Sequence, residues 1–314
     1  MAEFLHERRD FEQLLLLVAD ERGLDPMLVE KDYWLMHCLW GLQAQGFQFE
    51  LKGGTSLSKG FGIIHRFSED IDIRIEPPDG MDVKVARNQN KPAHIASRRA
   101  FYDELAVRIR MPGIISVARD TQFDDDKMRS AGIRLIYTPR TAALAGVKDG
   151  ILLELGFDDT TPNRPVTISS WALDVAIDRG VVVFDNRAVN VPCYAPTHTF
   201  VKKLQTLSTK YRRLDDSQAF PANFLRHYYD VYCLLGLDEV RAFMRAPAYQ
   251  IRKAQRFRQG DEQVIARNPA FILDDRAQRE RFAKEYRKTS ALYYQGQPDF
   301  DLLVARIHQH INSM

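Results

Sequence analysis

The chain has 314 residues, 45% of them hydrophobic, which is enough for one large core or two modest ones. A formal charge of +2 gives no overall attraction to a polyanion, and Cys38, Cys193 and Cys233 are too few and too scattered for a disulfide framework or a cysteine metal site, which reads as a reducing, cytoplasmic setting. Glu3, Glu7, Arg8, Arg9 and Asp10 break up any secretory signal and the aliphatic run 14–18 is too short to cross a bilayer, so no membrane partner is expected.

Residues 4–22 and 27–45 read as two amphipathic helices broken at Gly23 and Pro26. Strands are predicted at 47–52, 71–75, 113–118, 133–137 and 150–157, with a helix over 94–110 between the second and third. From residue 196 the pattern turns helical, over 196–213, 221–235, 237–243, 276–288 and 299–310. The expected fold is α+β, with a core over 1–195 and a helical domain over 196–314.

The first strand alternates Phe47, Phe49 and Leu51 with Gln48, Glu50 and Lys52, and stops at Gly53-Gly54. Glycine lets the backbone turn sharply and approach a ligand, and Thr55 or Ser56 is placed to cap a helix through Leu57, Phe61 and Ile64. Free N–H groups at a helix start favour an anion, although the same corner also occurs with no ligand. In the next strand Asp70 and Asp72 sit at i and i+2, so both leave one face while Ile71 and Ile73 enter the core. Two such charges about 4 Å apart repel by roughly 4 kcal/mol at an effective dielectric near 20. A divalent cation removes that repulsion, and carboxylates with phosphate oxygens form the shell that Mg²⁺ prefers.

Together these residues resemble the DNA polymerase β type nucleotidyltransferases, whose pattern is a Gly-Ser turn, a spacer and Asp-apolar-Asp. More narrowly, Glu30-Lys-Asp-Tyr-Trp34, the run from Lys52 to Lys59 and Arg66-Phe-Ser-Glu-Asp-Ile-Asp72 resemble the AbiEii/AbiGii toxins of type IV toxin-antitoxin systems, and Lys203-Leu-Gln-Thr-Leu207 with His227-Tyr-Tyr-Asp-Val-Tyr232 extends the match. The resemblance implies a mixed sheet with flanking helices and a helical region that completes the nucleotide site. It implies Asp70 and Asp72 as metal ligands for Mg²⁺, with Glu154, a carboxylate in the aliphatic strand 151–155, as the third acid. It also implies an NTP substrate, a transfer RNA acceptor modified at its 3′ end, growth arrest, and a separately encoded antitoxin.

In that scheme Gly53, Gly54, Thr55, Ser56 and Lys59 cradle the triphosphate, Arg66 and Ser68 complete the pocket, and Lys203, with Lys202 beside it as the alternative, contacts phosphates while Asp230 supports activity. Residues 241–290 carry thirteen Lys and Arg against six Asp and Glu, so Arg252, Lys253, Arg256 and Arg258 are expected to offer a face to RNA phosphates, with Phe257, Tyr286, Tyr293 and Tyr294 available for stacking. Two other readings fit the same motif: phosphoryl transfer to a protein serine, and a non-catalytic binding protein on this scaffold.

Overall fold

In the computed structural model, which describes residues 2–214, 220–221 and 223–314, the strands join in one seven-stranded mixed sheet. They are β1 Phe49–Lys52, β2 Asp70–Ile75, β3 Ile114–Asp120, β4 Ser130–Tyr137, β5 Ile151–Gly156, β6 Asn163–Ile168 and β7 Ala188–Tyr194, in the order β3-β4-β5-β2-β1-β7-β6. Helices α1 Phe11–Arg22, α2 Pro26–Ala44, the short α3 Gly53–Thr55, α4 Pro92–Arg108 and α5 Trp171–Asp178 accompany the sheet. β2 runs antiparallel to β1 and parallel to β5, which places it at the centre of the sheet.

Burial follows the sequence patterns strand by strand. Ile71, Ile73 and Ile75 are buried while Asp70, Asp72 and Arg74 are half-buried on the opposite face of β2. In β5, Ile151, Leu152, Leu153 and Leu155 are all buried, as in a strand covered on both faces, and Glu154 alone interrupts the run. Strands β6 and β7 and helix α5 have no counterpart among the predicted elements. Pro165 and Pro192 face each other across β6 and β7, and a residue that cannot donate to a ladder hides a strand from local pattern.

Helix α1 ends at Gly23, in the left-handed region at φ 63°, and α2 begins with Asp25 accepting the Met27 N–H and Pro26 in the first turn. The expectation of an amphipathic second helix is corrected. Helix α2 packs on α1, α5, β5 and β7, so nearly every residue from Met27 to Leu42 is buried, including Glu30, Lys31 and Asp32. Charges in such a helix need partners, and each finds a different one.

The sheet side also holds a buried aromatic cluster of His6, Tyr33, Trp34 and His37. His6 Nδ1 lies 2.7 Å from the Tyr33 hydroxyl and His37 Nε2 lies 2.9 Å from the Pro112 carbonyl oxygen. Burial, aided by Arg140 at His6 and by His6 at His37, holds both imidazoles down to about 4. A native state that keeps them neutral binds fewer protons than the unfolded chain, so their contribution is present above pH 6.5 and lost as the pH falls towards 4. The dependence should reach the order of 2 kcal/mol per histidine. In urea titrations at pH 7 and pH 5, His6→Gln is expected to lose less stability on acidification than the parent, and an equal loss in both would contradict this.

The chain divides into two compact units, Met1–Phe61 with Phe67–Tyr194, and Gly62–Arg66 with Ala195–Met314. The second contains α6 Pro196–Arg212, α7 Arg226–Leu235, α8 Asp238–Met244, α9 Pro247–Arg256, α10 Pro269–Ile272, α11 Arg276–Arg287 and α12 Phe300–His310. Its core is aromatic, with Phe224, Tyr228, Phe282 and Phe300 packed edge to face. The segment Gly62–Arg66 belongs to this unit through a bridge between Arg66 and Tyr293 and a bond from the Tyr294 N–H to the His65 carbonyl at 3.1 Å. Among the described residues no helix is long and apolar enough to cross a membrane. A mixed sheet with flanking helices and a C-terminal run of helices is the α+β nucleotidyltransferase arrangement that the resemblance implies.

Candidate active site

Strand β1 delivers the chain to Gly53, whose φ of +76° suits glycine, and a Cβ there would run into the Asp72 carboxylate. The backbone then makes the single turn α3 and a π turn over Ser56–Gly60. The predicted helix through Ile64 is therefore corrected. Thr55 does not cap it: its Oγ1 donates to the Asp70 carbonyl at 2.5 Å, pinning the turn to the start of β2. Gly54, Thr55 and Ser56 are buried and Gly53 is half-exposed, so an anion would meet backbone rather than the positive end of a long helix.

The acids come together by register. Lys52 of β1 stands opposite Asp72 of β2, and Asp72 stands opposite Glu154 of β5. Asp70 lies two residues before Asp72 on the same face. The Asp72 charge, then burial and Asp70, push the Glu154 carboxyl up to about 8, and burial followed by Glu69 and Asp72 raises Asp70. Burial pulls the Lys52 ammonium down, but Asp72, Asp158 and Glu154 outweigh it, and Lys52 Nζ lies 3.4 Å from Asp72 Oδ1. Sequence reasoning assigns Lys52 no role, although strand alternation puts it on the face away from Leu51.

Among the described residues no group of three or more His, Cys, Asp or Glu is arranged to hold a metal ion unaided. Mg²⁺ does not need one, since it commonly takes one or two carboxylates and completes its shell with water and substrate phosphates. Asp70 and Asp72 share one face of β2 and Asp72 stands opposite Glu154, so their negative charges crowd together, and a divalent ion is what would relieve that repulsion.

Behind the acids lie the charges of α2. Glu30 accepts from the backbone N–H of Arg140 at 2.8 Å and of Thr141 at 3.0 Å, fixing the segment that leads to β5. Lys31 donates to the Lys148 carbonyl and lies 3.9 Å from Glu69, which itself accepts the Lys148 N–H at 3.2 Å. Asp32 accepts the Trp171 N–H at 2.8 Å and pairs with Lys59 at 2.7 Å. Lys59 is thus tied to a buried carboxylate. Ser68 is half-buried between two buried neighbours.

Within the second unit, Arg66 and Lys203 converge on Asp230. Arg66 donates from Nε at 2.7 Å and from Nη2 at 2.8 Å, one to each carboxylate oxygen, and Lys203 Nζ lies 2.7 Å from Oδ2. All three side chains are buried. Burial opposes the charge on Asp230, but Arg66 and Lys203 hold its carboxyl well below the usual range. His227 stands beside this group with Nδ1 3.4 Å from Lys203 Nζ and Nε2 3.3 Å from Lys210 Nζ. Burial, then Lys203 and Lys210, drive its imidazole well below its ordinary value. Lys202, the neighbour on α6, is half-buried.

The expected basic face is not one surface. Arg252 and Lys253 are buried, and Lys253 Nζ donates to the Met314 carbonyl at 2.8 Å, whereas Arg256 is half-buried and Arg258 exposed. Spacing on α9 turns the first pair inward, onto the unit's own core. Phe257, Tyr286 and Tyr293 are also buried, with Tyr293 edge-on to Tyr229 and Tyr286, so they are not open platforms for bases. A cavity of about 650 Å³ opens near Phe47, Glu76, Phe101 and Arg108, at the end of β1 and β2 remote from the aspartates. It belongs to no part of the cradle.

The family model for the nucleotidyl transferase AbiEii toxin of type IV toxin-antitoxin systems matches residues 35–306. No curated protein and no solved structure matches the chain. The matched segment includes the Gly53 turn, Asp70 and Asp72 of β2 with Glu154 of β5 opposite Asp72, and the Arg66, Lys203 and Asp230 group, and covers most of the chain. The chain therefore belongs to the AbiEii nucleotidyl transferase toxin family.

Proposed function

We propose that the chain transfers a nucleoside monophosphate from an NTP to a hydroxyl at the 3′ end of a transfer RNA, and that this modification arrests growth. Membership of a type IV toxin-antitoxin family supports an NTP substrate and a separately encoded antitoxin. The observation that carries the reading is the register of Asp72 against Glu154 beside a glycine that only closes on Asp72 because it has no side chain. In the reaction the acceptor oxygen forms a bond to the α-phosphorus, the bond from that phosphorus to the β-bridging oxygen breaks, pyrophosphate departs, and the hydroxyl proton passes to solvent. Asp70, Asp72 and Glu154 would hold Mg²⁺, which when bound would supply charge neutralisation for the phosphates. The Gly53–Ser56 backbone holds the triphosphate. In the second unit Lys203, with Lys202 as its neighbour, is the proposed phosphate contact, and Arg258 is the exposed member of the basic set.

Periodate oxidation of transfer RNA destroys its 3′-terminal diol and tests the acceptor. Intact RNA is expected to take label from an α-labelled NTP and oxidised RNA is not. Equal labelling of both would place the acceptor elsewhere.

A further inference from the structure

The Gly53–Ser56 turn is fixed at two points by the motif itself, where Gly53 meets the Asp72 side chain and where Thr55 donates to the Asp70 carbonyl. A third tether comes from helix α2. Lys59, on the π turn that continues the cradle, places Nζ 2.7 Å from Asp32 Oδ1 and 5.0 Å from the ring centre of Trp171. Asp32 Oδ2 accepts the Trp171 N–H at 2.8 Å, so one carboxylate holds both the first residue of α5 and the lysine of the turn. The Asp32 side chain is fully buried and that of Lys59 is 14% exposed, so the ammonium is committed to this contact rather than to water. A π turn beside a ligand site is a common way to aim backbone groups, and it needs support from its surroundings.

We infer that Asp32 is a positioning residue for the nucleotide site, acting through Lys59 to hold the Gly53–Ser56 turn at its working distance from Asp70 and Asp72. The inference rests on the reading of that turn as the triphosphate cradle. It moves Lys59 from gripping phosphate to supporting the backbone that does. The two roles differ in sign: a phosphate-gripping Lys59 released by Asp32→Asn would bind NTP more tightly, whereas a supporting Lys59 that loses its anchor lets the turn drift and weakens binding.

The test uses the full chain with ATP, GTP, CTP and UTP, measuring Kd for whichever the parent protein binds best, turnover on total transfer RNA, and thermal midpoints. Asp32→Asn and Lys59→Met are each expected to raise Kd about tenfold, with Kd rising more than turnover falls. Lys59→Arg, which keeps the ion pair, should stay within about threefold of the parent. The double variant D32N/K59M has no buried charge to strand, so its thermal midpoint should recover towards the parent while its Kd stays raised. Unchanged or tighter binding in Asp32→Asn overturns the inference, as does a double variant whose Kd returns to normal together with its stability. A parent protein that binds none of the four nucleotides overturns the cradle itself, and the inference with it.

Discussion

Asp70→Asn and Asp72→Asn are each expected to lower nucleotidyl transfer at least about 10³-fold without loss of the fold. Each removes one of the proposed ligands of a cation that would supply several kcal/mol of charge stabilisation at the phosphates, and about 4 kcal/mol corresponds to that factor in rate. Stability should move the other way. In the absence of metal Asp72 is the largest cause of the raised Glu154 carboxyl, so an uncharged Asn beside it relieves a repulsion. The metal-free Asp72→Asn protein is expected to melt at the same temperature as the parent or a few degrees higher, on the order of 1 kcal/mol of relief in a half-buried row. Calorimetry with and without Mg²⁺ checks both halves: the parent gains stability from the ion and the variant gains less. A variant with near-parental turnover would remove Asp72 from the metal site.

Asp230→Ala has the largest expected effect on stability. It leaves Arg66 and Lys203 buried without their shared anion, and stripping one partner from such a group typically costs about 3–5 kcal/mol. The urea midpoint of the second unit should fall accordingly, and loss of activity would follow from the disordered lysine as well as from the missing carboxylate. Asp230→Glu keeps the charge and should recover a good part of the loss. The native carboxyl is held well below the unfolded value, so this contribution is present above pH 3.8 and disappears only in strong acid. An Asp230→Ala protein as stable as the parent would mean that the two cations find other partners.

Much of the sheet side is legible from the chain alone because its strands keep a period of two or run unbroken. Ile71, Ile73 and Ile75 alternate with Asp70, Asp72 and Arg74, and the isolated Glu154 stands out in a run of leucines. The register that sets Asp72 against Glu154 is a pairing between residues far apart in sequence, and no local pattern contains it. The same limit hides the Arg66 pair with Asp230, 164 positions away, which draws a residue next to the motif into the second unit's core. Lys59 reads as a phosphate ligand by its spacing from the glycines, and only the three-dimensional fold shows Asp32 beside it. Charge counting fails on α9 for a related reason, since composition records how many cations a helix has and not which way Arg252 and Lys253 face.

Transfer of label from α-³²P-NTP and from γ-³²P-NTP, side by side, to total transfer RNA and to the protein itself tests the central claim most directly. Nucleotidyl transfer at the Asp70, Asp72 and Glu154 site predicts α-label in RNA, none of the γ-label in either acceptor, and pyrophosphate released in step with incorporation. Gamma-label on protein with no α-label in RNA would contradict it and assign the same cradle to phosphoryl transfer.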